Sequence, residues 1–370
     1  MCSLSHSWDG FQQCLLTLPE EVFPEGLTRL HGQFMWLLEV VPVRQFVDSP
    51  WRCGRGRRQQ DRRPLLRAFL AKAWFNFPTT VALRDRLLVD RTLRQLCGWE
   101  QRRQVPSEST FSRAFATFAA RKVLDELHVA LVAAYAAATL FWHISRDSTA
   151  IPARERPQPK DPAPAPPATP KRKRGRPRKG EEPPAPPPTR LEQQYAAPEQ
   201  TAQQLAELPR ACAWGSKQNA AGTVMHWKGY KLHVDTGDDG LPLLAVTTSA
   251  SVHDSQPAIP MARTTAQRVN SLYDLMDAAY ESKLIRQTSY DLQHVPIIAQ
   301  NPRQGAKLPL EPDRAERFKK RSGAERFNSL LKDCHGGRHV RVRGATKVHA
   351  HLMCGVLTVF MRVLAGWPDD

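Results

Sequence analysis

At 370 residues the chain is long enough for one large core or for two domains. Its 53 Lys+Arg against 36 Asp+Glu leave a net charge of +17, a surplus that calls for a polyanionic partner, with nucleic acid ahead of a membrane surface. Seven cysteines, an odd number with no C-x-x-C pair, point away from a disulfide framework and toward reduced thiols.

The first 20 residues lack a basic segment followed by a continuous apolar stretch, so the cytoplasm is the expected compartment. Residues 1–60 are irregular, with FMWLLEVV followed by the basic run RCGRGRRQQDRR. From 62 to about 139 the pattern is helical. Leu66, Phe69, Leu70 and Ala73 follow i, i+3, i+4, i+7 spacing, Phe111, Ala114, Phe115 and Phe118 repeat it, and Leu124, Leu127, Leu131 and Tyr135 make a third stripe. Within this region VPSESTFSRA, 105–114, reads either as a turn feeding a DNA-reading helix or as ordinary helix packing.

At residue 140 the period changes. LFWHISRDSTAI has the content of a strand, on which His143, Ser145 and Asp147 share one face while Trp142 and Ile144 take the other. Residues 155–190 hold 13 of the 31 prolines around the basic center KRKRGRPRK, a composition that cannot bury a core and predicts a disordered insertion. Its Arg174-Gly-Arg176-Pro-Arg178 resembles an AT-hook, which lies in narrow A·T-rich minor grooves; the alternative is a generic polybasic linker. HWKGYKLHVDT and LPLLAVTTSAS flank the turn signal GDDG and predict a β-hairpin. SLYDLMDAAY and VPIIAQ read as further strands with the helical SKLIRQTSYDL between them. The apolar run LMCGVLTVFM, 352–361, has ten residues, too few to span a bilayer, and reads as a core helix. Cys334, His335, His339, His349, His351 and Cys354 crowd the same region, but their spacings match no common zinc pattern and read as scattered core and surface residues.

Three acids stand where phosphodiester chemistry would need them. Asp147 lies at the end of the first strand, Asp277 at the end of the later one, and Glu325 among the basic residues of RFKKRSGAERFNSLLK. Two hard cations acting on one phosphate need several carboxylate oxygens on rigid supports. Asp254 and Asp274 compete with Asp277 for the second place, and Asp254 also suits a helix N-cap after the hairpin. Ser322-Gly-Ala-Glu325 fits a capping box as well, in which the Glu325 side chain would turn back to the N-cap amide.

Phe318, Arg321, Glu325 and Lys332 follow the Tyr-x2-Arg-x3-Glu-x6-Lys spacing of one group of insertion-sequence transposases, with Phe in the Tyr position. RDSTAI, WKGYKLHV, and SVHDS followed by DAAYES resemble, in order, that family's first-acid strand, its hairpin and the approach to its second acid. The chain therefore resembles a bacterial DDE-type transposase over about 65–362, with the Pro-rich segment as an insertion.

That resemblance implies an α/β ribonuclease H-like mixed sheet flanked by helices. The expected divisions are a helical DNA-binding region at 1–139, the first core strand at 140–154, insertion and linker at 155–212, and the rest of the catalytic core with C-terminal helices at 213–370. It further implies Asp147, Asp277 and Glu325 as ligands of two Mg²⁺ ions, with Mn²⁺ as a substitute. Asp277 is preferred for its match to the family's Asp-x-Gly-Tyr form. Phe318, Arg321 and Lys332 would be DNA contacts; Phe318 can stack on a base but lacks a Tyr hydroxyl to donate. The implied partners are double-stranded DNA, as element ends and target, and a second copy of the chain on that DNA, with no membrane. The residues alone also admit a Mg²⁺-dependent nuclease without strand transfer, or a transposase-derived DNA-binding protein whose acids no longer assemble.

Overall fold

The computed structural model describes residues 27–47, 60–157, 187–218, 222–300, 309–338 and 340–367. The AT-hook-like Arg174, Arg176 and Arg178, most of the Pro-rich insertion and His339 lie outside the described residues.

Among the described residues seven α-helices precede the first strand: α1 (Arg29–Val40), α2 (Val43–Phe46), α3 (Arg62–Trp74), α4 (Thr80–Val89), α5 (Arg91–Cys97), α6 (Glu108–Ala120) and α7 (Val123–Tyr135). Side chains start several of them: Thr28, Asp61, Thr79 and Asp90 each accept a first-turn amide, meeting donors that a helix leaves without internal partners. The three apolar stripes are the packed ones. Phe69 of α3 meets Phe111, Phe115 and Phe118 of α6 at ring-centroid distances of 5.8, 4.8 and 6.3 Å, and aromatic pairs of this kind add about 0.5–1.5 kcal/mol each beyond area burial. For VPSESTFSRA the structure shows Ser107 at the N-cap of α6, with Phe111 and Ala114 turned into the core.

The chain then enters β1 (Leu140–Pro152). After the insertion come α8 (Arg190–Ala196) and α9 (Thr201–Ala206), inside the stretch expected to be linker. Thr189 and Glu192 form a reciprocal capping box at α8, and Arg263 donates to the Gln194 and Tyr195 carbonyls at 2.7 and 3.1 Å, holding the end of that helix. Next are β2 (Ala213–Gln218), β3 (Val224–Thr236), β4 (Pro242–Ser249), α10 (Ala258–Ala266), β5 (Asn270–Met276), α11 (Lys283–Asp291) and β6 (Val295–Ile298). The last helices are α12 (Pro312–Lys319), α13 (Ser322–Asp333) and α14 (Ala345–Leu364).

β1 is the central strand of a six-stranded mixed sheet. It runs antiparallel to β3 and parallel to β5, β6 lies parallel beyond β5, and β4 and β2 pair with successive parts of β3. This mixed sheet flanked by helices has the ribonuclease H-like form, with the expected hairpin observed as β3–β4. α14 packs against α3, α6, α7 and β4, and one apolar cluster runs from Phe34 through the sheet to Met361. The helical region and the sheet therefore share a core. α14 is long and apolar enough to cross a bilayer, but residues 352–361 are all buried within the protein.

On the opposite face of the sheet, Arg146 of β1 forms a fork with Asp235 of β3, both contacts 2.7 Å, and Thr265 of α10 donates to the same carboxylate at 2.6 Å. Arg146 is 1% exposed and Asp235 is fully buried. Removing one partner of such a pair leaves an uncompensated buried charge, which costs about 3–5 kcal/mol. Arg146→Met should lose that much stability in urea unfolding, and Arg146→Met with Asp235→Leu should recover much of it. No loss in the single variant would show that the fork does not hold the sheet.

Several buried histidines are kept neutral. Burial pushes His128, His233 and His335 down to about 4 and His351 to about 3, against an ordinary value of 6.5. Backbone carbonyls oppose this without overcoming it: His128 bonds to that of Pro242, His335 to that of Ala73 and His351 to that of Gly336. His349 instead bridges Asp125 and Thr247. Because the folded values are depressed, the unfolded chain binds more protons, so stability is full above pH 6.5 and falls as the pH drops toward about 4. Urea midpoints measured across that window should fall steadily, and His335→Asn should flatten the slope.

Candidate active site

The site forms where β1, β5 and α13 meet. In the parallel pairing of β1 with β5, Arg146 lies opposite Met276, so the next residues, Asp147 and Asp277, come side by side. The expected strand end at Asp147 is corrected: β1 continues to Pro152, paired with β3 beyond the point where β5 stops. Asp277 follows the last residue of β5 and caps a single helical turn, its Oδ1 accepting the Ala279 amide at 2.9 Å. This leaves Oδ2 turned toward α13.

α13 reaches the sheet through a close backbone contact. Gly240, in the β3–β4 turn with φ +84°, sits so near Gly323 that a Cβ on Gly240 would come within 2.7 Å of the Gly323 oxygen. A Cβ on Gly323 would stand 3.1 Å from the Gly240 nitrogen. Glycine at both places lets the first turn of α13 settle on the hairpin. The capping-box expectation is corrected here. Arg321, with helical φ −58° and ψ −19°, takes the N-cap position and Ser322 is already the first helical residue. No side-chain cap forms, and the exposed Glu325 carboxylate is engaged by Arg321 instead.

One guanidinium then gathers the acids. Arg321 Nη2 donates to Asp147 Oδ1 at 2.8 Å and lies 3.9 Å from Asp277 Oδ2, while Nη1 donates to Glu325 Oε1 at 3.1 Å. Asn328, one turn beyond Glu325, donates to Asp147 Oδ2 at 3.0 Å. Burial raises the Asp147 carboxyl above its ordinary value; Arg321 opposes this, Asp277 adds to it, and Lys217 opposes it. For Arg321, burial favors the neutral form, but Asp147, Asp277 and Glu325 together hold the guanidinium above its usual value.

The competing acids are engaged elsewhere. Asp274 is 2% exposed, and His294 lies 3.3 Å from its carboxylate. Asp254 receives Lys231 Nζ at 2.8 Å and is not a helix cap, since Pro257 holds that position before α10. Phe318 is half-buried on α12, joined to α13 by only Lys320 and Arg321. Burial, together with the charges of Arg338 and Lys217, lowers the Lys332 ammonium below its ordinary value. Of the other basic residues near the acid, Arg338 pairs with Asp333, and Lys319, Lys320, Arg341 and Arg343 are exposed.

Sequence reasoning missed Asn328 and Lys217. Asn328 carried a usable signal, because i+3 from Glu325 places it on the same helix face. Lys217 lies far from the acids in sequence and carried none.

The donor set is all oxygen and suits a hard divalent cation. Among the described residues, however, no three acids, histidines or cysteines stand close enough to share one ion while the guanidinium lies between them. The carboxylates fit such an ion in kind, with Arg321 as the positive charge that gathers them in this structure. Arg321→Ala should strip Asp147 of its counter-charge and cost about 3 kcal/mol, and adding Asp147→Asn should restore most of that in a double-mutant cycle. Additive losses would show that the two side chains do not interact.

Two family descriptions match the chain: Transposase DDE domain over residues 143–361 and Transposase domain (DUF772) over residues 33–117. No curated protein and no solved structure matches it.

Proposed function

The chain belongs to the DDE transposase family, and on that footing we propose that it binds the terminal inverted repeats of its element, cleaves the DNA ends and joins the freed 3′-hydroxyl to target DNA. The observation that carries this reading is the convergence of Asp147 from within β1, Asp277 from the end of β5 and Glu325 from α13 on a single cation within 3.9 Å.

In this reading Asp147, Asp277 and Glu325 hold two Mg²⁺ ions. The ions would supply activation of the attacking oxygen and charge stabilization at the leaving one. The chain's own groups do the rest. Asn328 fixes one oxygen of Asp147, so that the carboxylate presents the other to the site. Arg321, released from the acids, has a fork suited to a phosphate and contacts the backbone at the scissile position. Lys332, seven residues after Glu325 and so within about 20° of it around the helix, addresses the same phosphate. Phe318 offers a flat apolar surface to a base. Both DNA ends must be held for joining, so the active form is a homodimer on DNA.

The test is a cleavage and strand-transfer assay with a duplex spanning the inverted repeats that flank the gene. Wild type with Mg²⁺ should cut the ends and join them to a second duplex. Asp147→Asn, Asp277→Asn and Glu325→Gln should each abolish both steps while leaving duplex binding largely intact. Cutting without joining would make the protein a nuclease, and full activity in any one of the three variants would remove that acid from the site.

A further inference from the structure

The sheet carries an appendage that the acid cluster does not explain. β2 pairs with Val224–Gly229 of β3, while β1 and β4 accompany β3 only from Gly229 or Tyr230 onward. The outer half of β3 and β2 therefore form a two-stranded ribbon. Trp214, Val224 and Met225 on it are 63%, 48% and 65% exposed, and Ser216, Lys217 and His226 are exposed too. An isolated ribbon has no core for three large apolar side chains to serve, so their exposure marks a contact surface. Residues 213–218 and 224–229 contain Lys217, Lys228 and His226 and no acid.

The ribbon is continuous with the strand beside the first acid: Val234 of β3 is the partner of Asp147 and Met225 of β3 that of Lys217. Gly229, between them, is where the path can turn. Its φ is +152°, and a Cβ there would stand 2.2 Å from the Ile151 oxygen and 2.7 Å from the Ala153 nitrogen. The base of the ribbon is braced by Trp227, which packs on Gly215, donates from Nε1 to the Tyr230 carbonyl at 3.0 Å, and has Lys231 Nζ 5.9 Å from its ring.

We infer that the β2–β3 ribbon is a DNA arm that lies along the duplex beside the acid cluster, with Lys217 and Lys228 on phosphates and Trp214, Val224 and Met225 against sugars and base edges. The choice of DNA rests on the proposed transposase chemistry and on charge: the ribbon strands carry Lys217, Lys228 and His226 and no acid. Its shape fits as well, since the major groove admits a two-stranded ribbon.

The test is fluorescence anisotropy of the full chain with a fluorescein-labeled duplex taken from the DNA flanking the gene, titrated at several salt concentrations. Lys217→Ala with Lys228→Ala should lower the salt slope by about 1.8, or about 0.9 for each phosphate that is no longer neutralized. Trp214→Ala with Met225→Ala should weaken binding about tenfold or more at fixed salt, as when apolar contacts to bases are removed, and leave the slope unchanged. Circular dichroism melts should match wild type, since none of the four side chains is buried. Wild-type affinity and slope in both pairs would overturn the inference. So would ribbon-dependent self-association in sedimentation without DNA, which would make a second copy of the chain the occupant. Asp147→Asn separates the two readings. If it abolishes cutting while the ribbon pairs bind normally, the arm falls and the transposase reading stands; a wild type that neither binds nor cuts the duplex overturns both.

Discussion

The buried fork between Arg146 and Asp235 is the constraint on which the arrangement of the sheet rests. It ties the central strand to its antiparallel neighbor one residue from Asp147 and 0–1% exposed. A one-residue slip between strands would turn each side chain to the opposite face. With Arg146 and Asp235 inside and desolvated, such a slip would expose their pairing and bury Asp147 on the wrong side. The same pairing that satisfies one charged pair on one face thus presents the first acid on the other.

On that second face the balance of charge is different in kind. Arg146 meets a single carboxylate in full geometry, whereas Arg321 is shared among three at 2.8, 3.1 and 3.9 Å. A shared guanidinium satisfies none of the acids completely. Lys217 adds positive charge nearby, yet burial still holds the Asp147 carboxyl above its ordinary value, in contrast to the closed pair behind it.

Much of this was legible in the residues because local patterns and tertiary demands agree. The three apolar stripes of α3, α6 and α7 became the packed faces, while β1 is buried without a break from His143 to Thr149, covered on both faces of the sheet. The order of the strand and helix motifs around the three acids was readable too, and the structure brings all three together. Other features were hidden for physical reasons. Ser322 and Glu325 have the letters of a capping box, but Arg321 adopts helical dihedrals, so the helix starts one residue early and the acid is released. Helices α8 and α9 follow a run of prolines whose composition masked the Thr189–Glu192 cap. The influence of Lys217 on Asp147 joins segments far apart in the chain, which no residue pattern encodes.

α13 supplies the arginine that gathers the acids, and α14 supplies the middle of the apolar cluster that joins the first helices to the sheet. The two helices lie against each other, so the packing that closes the interior also fixes where the gathering arginine stands.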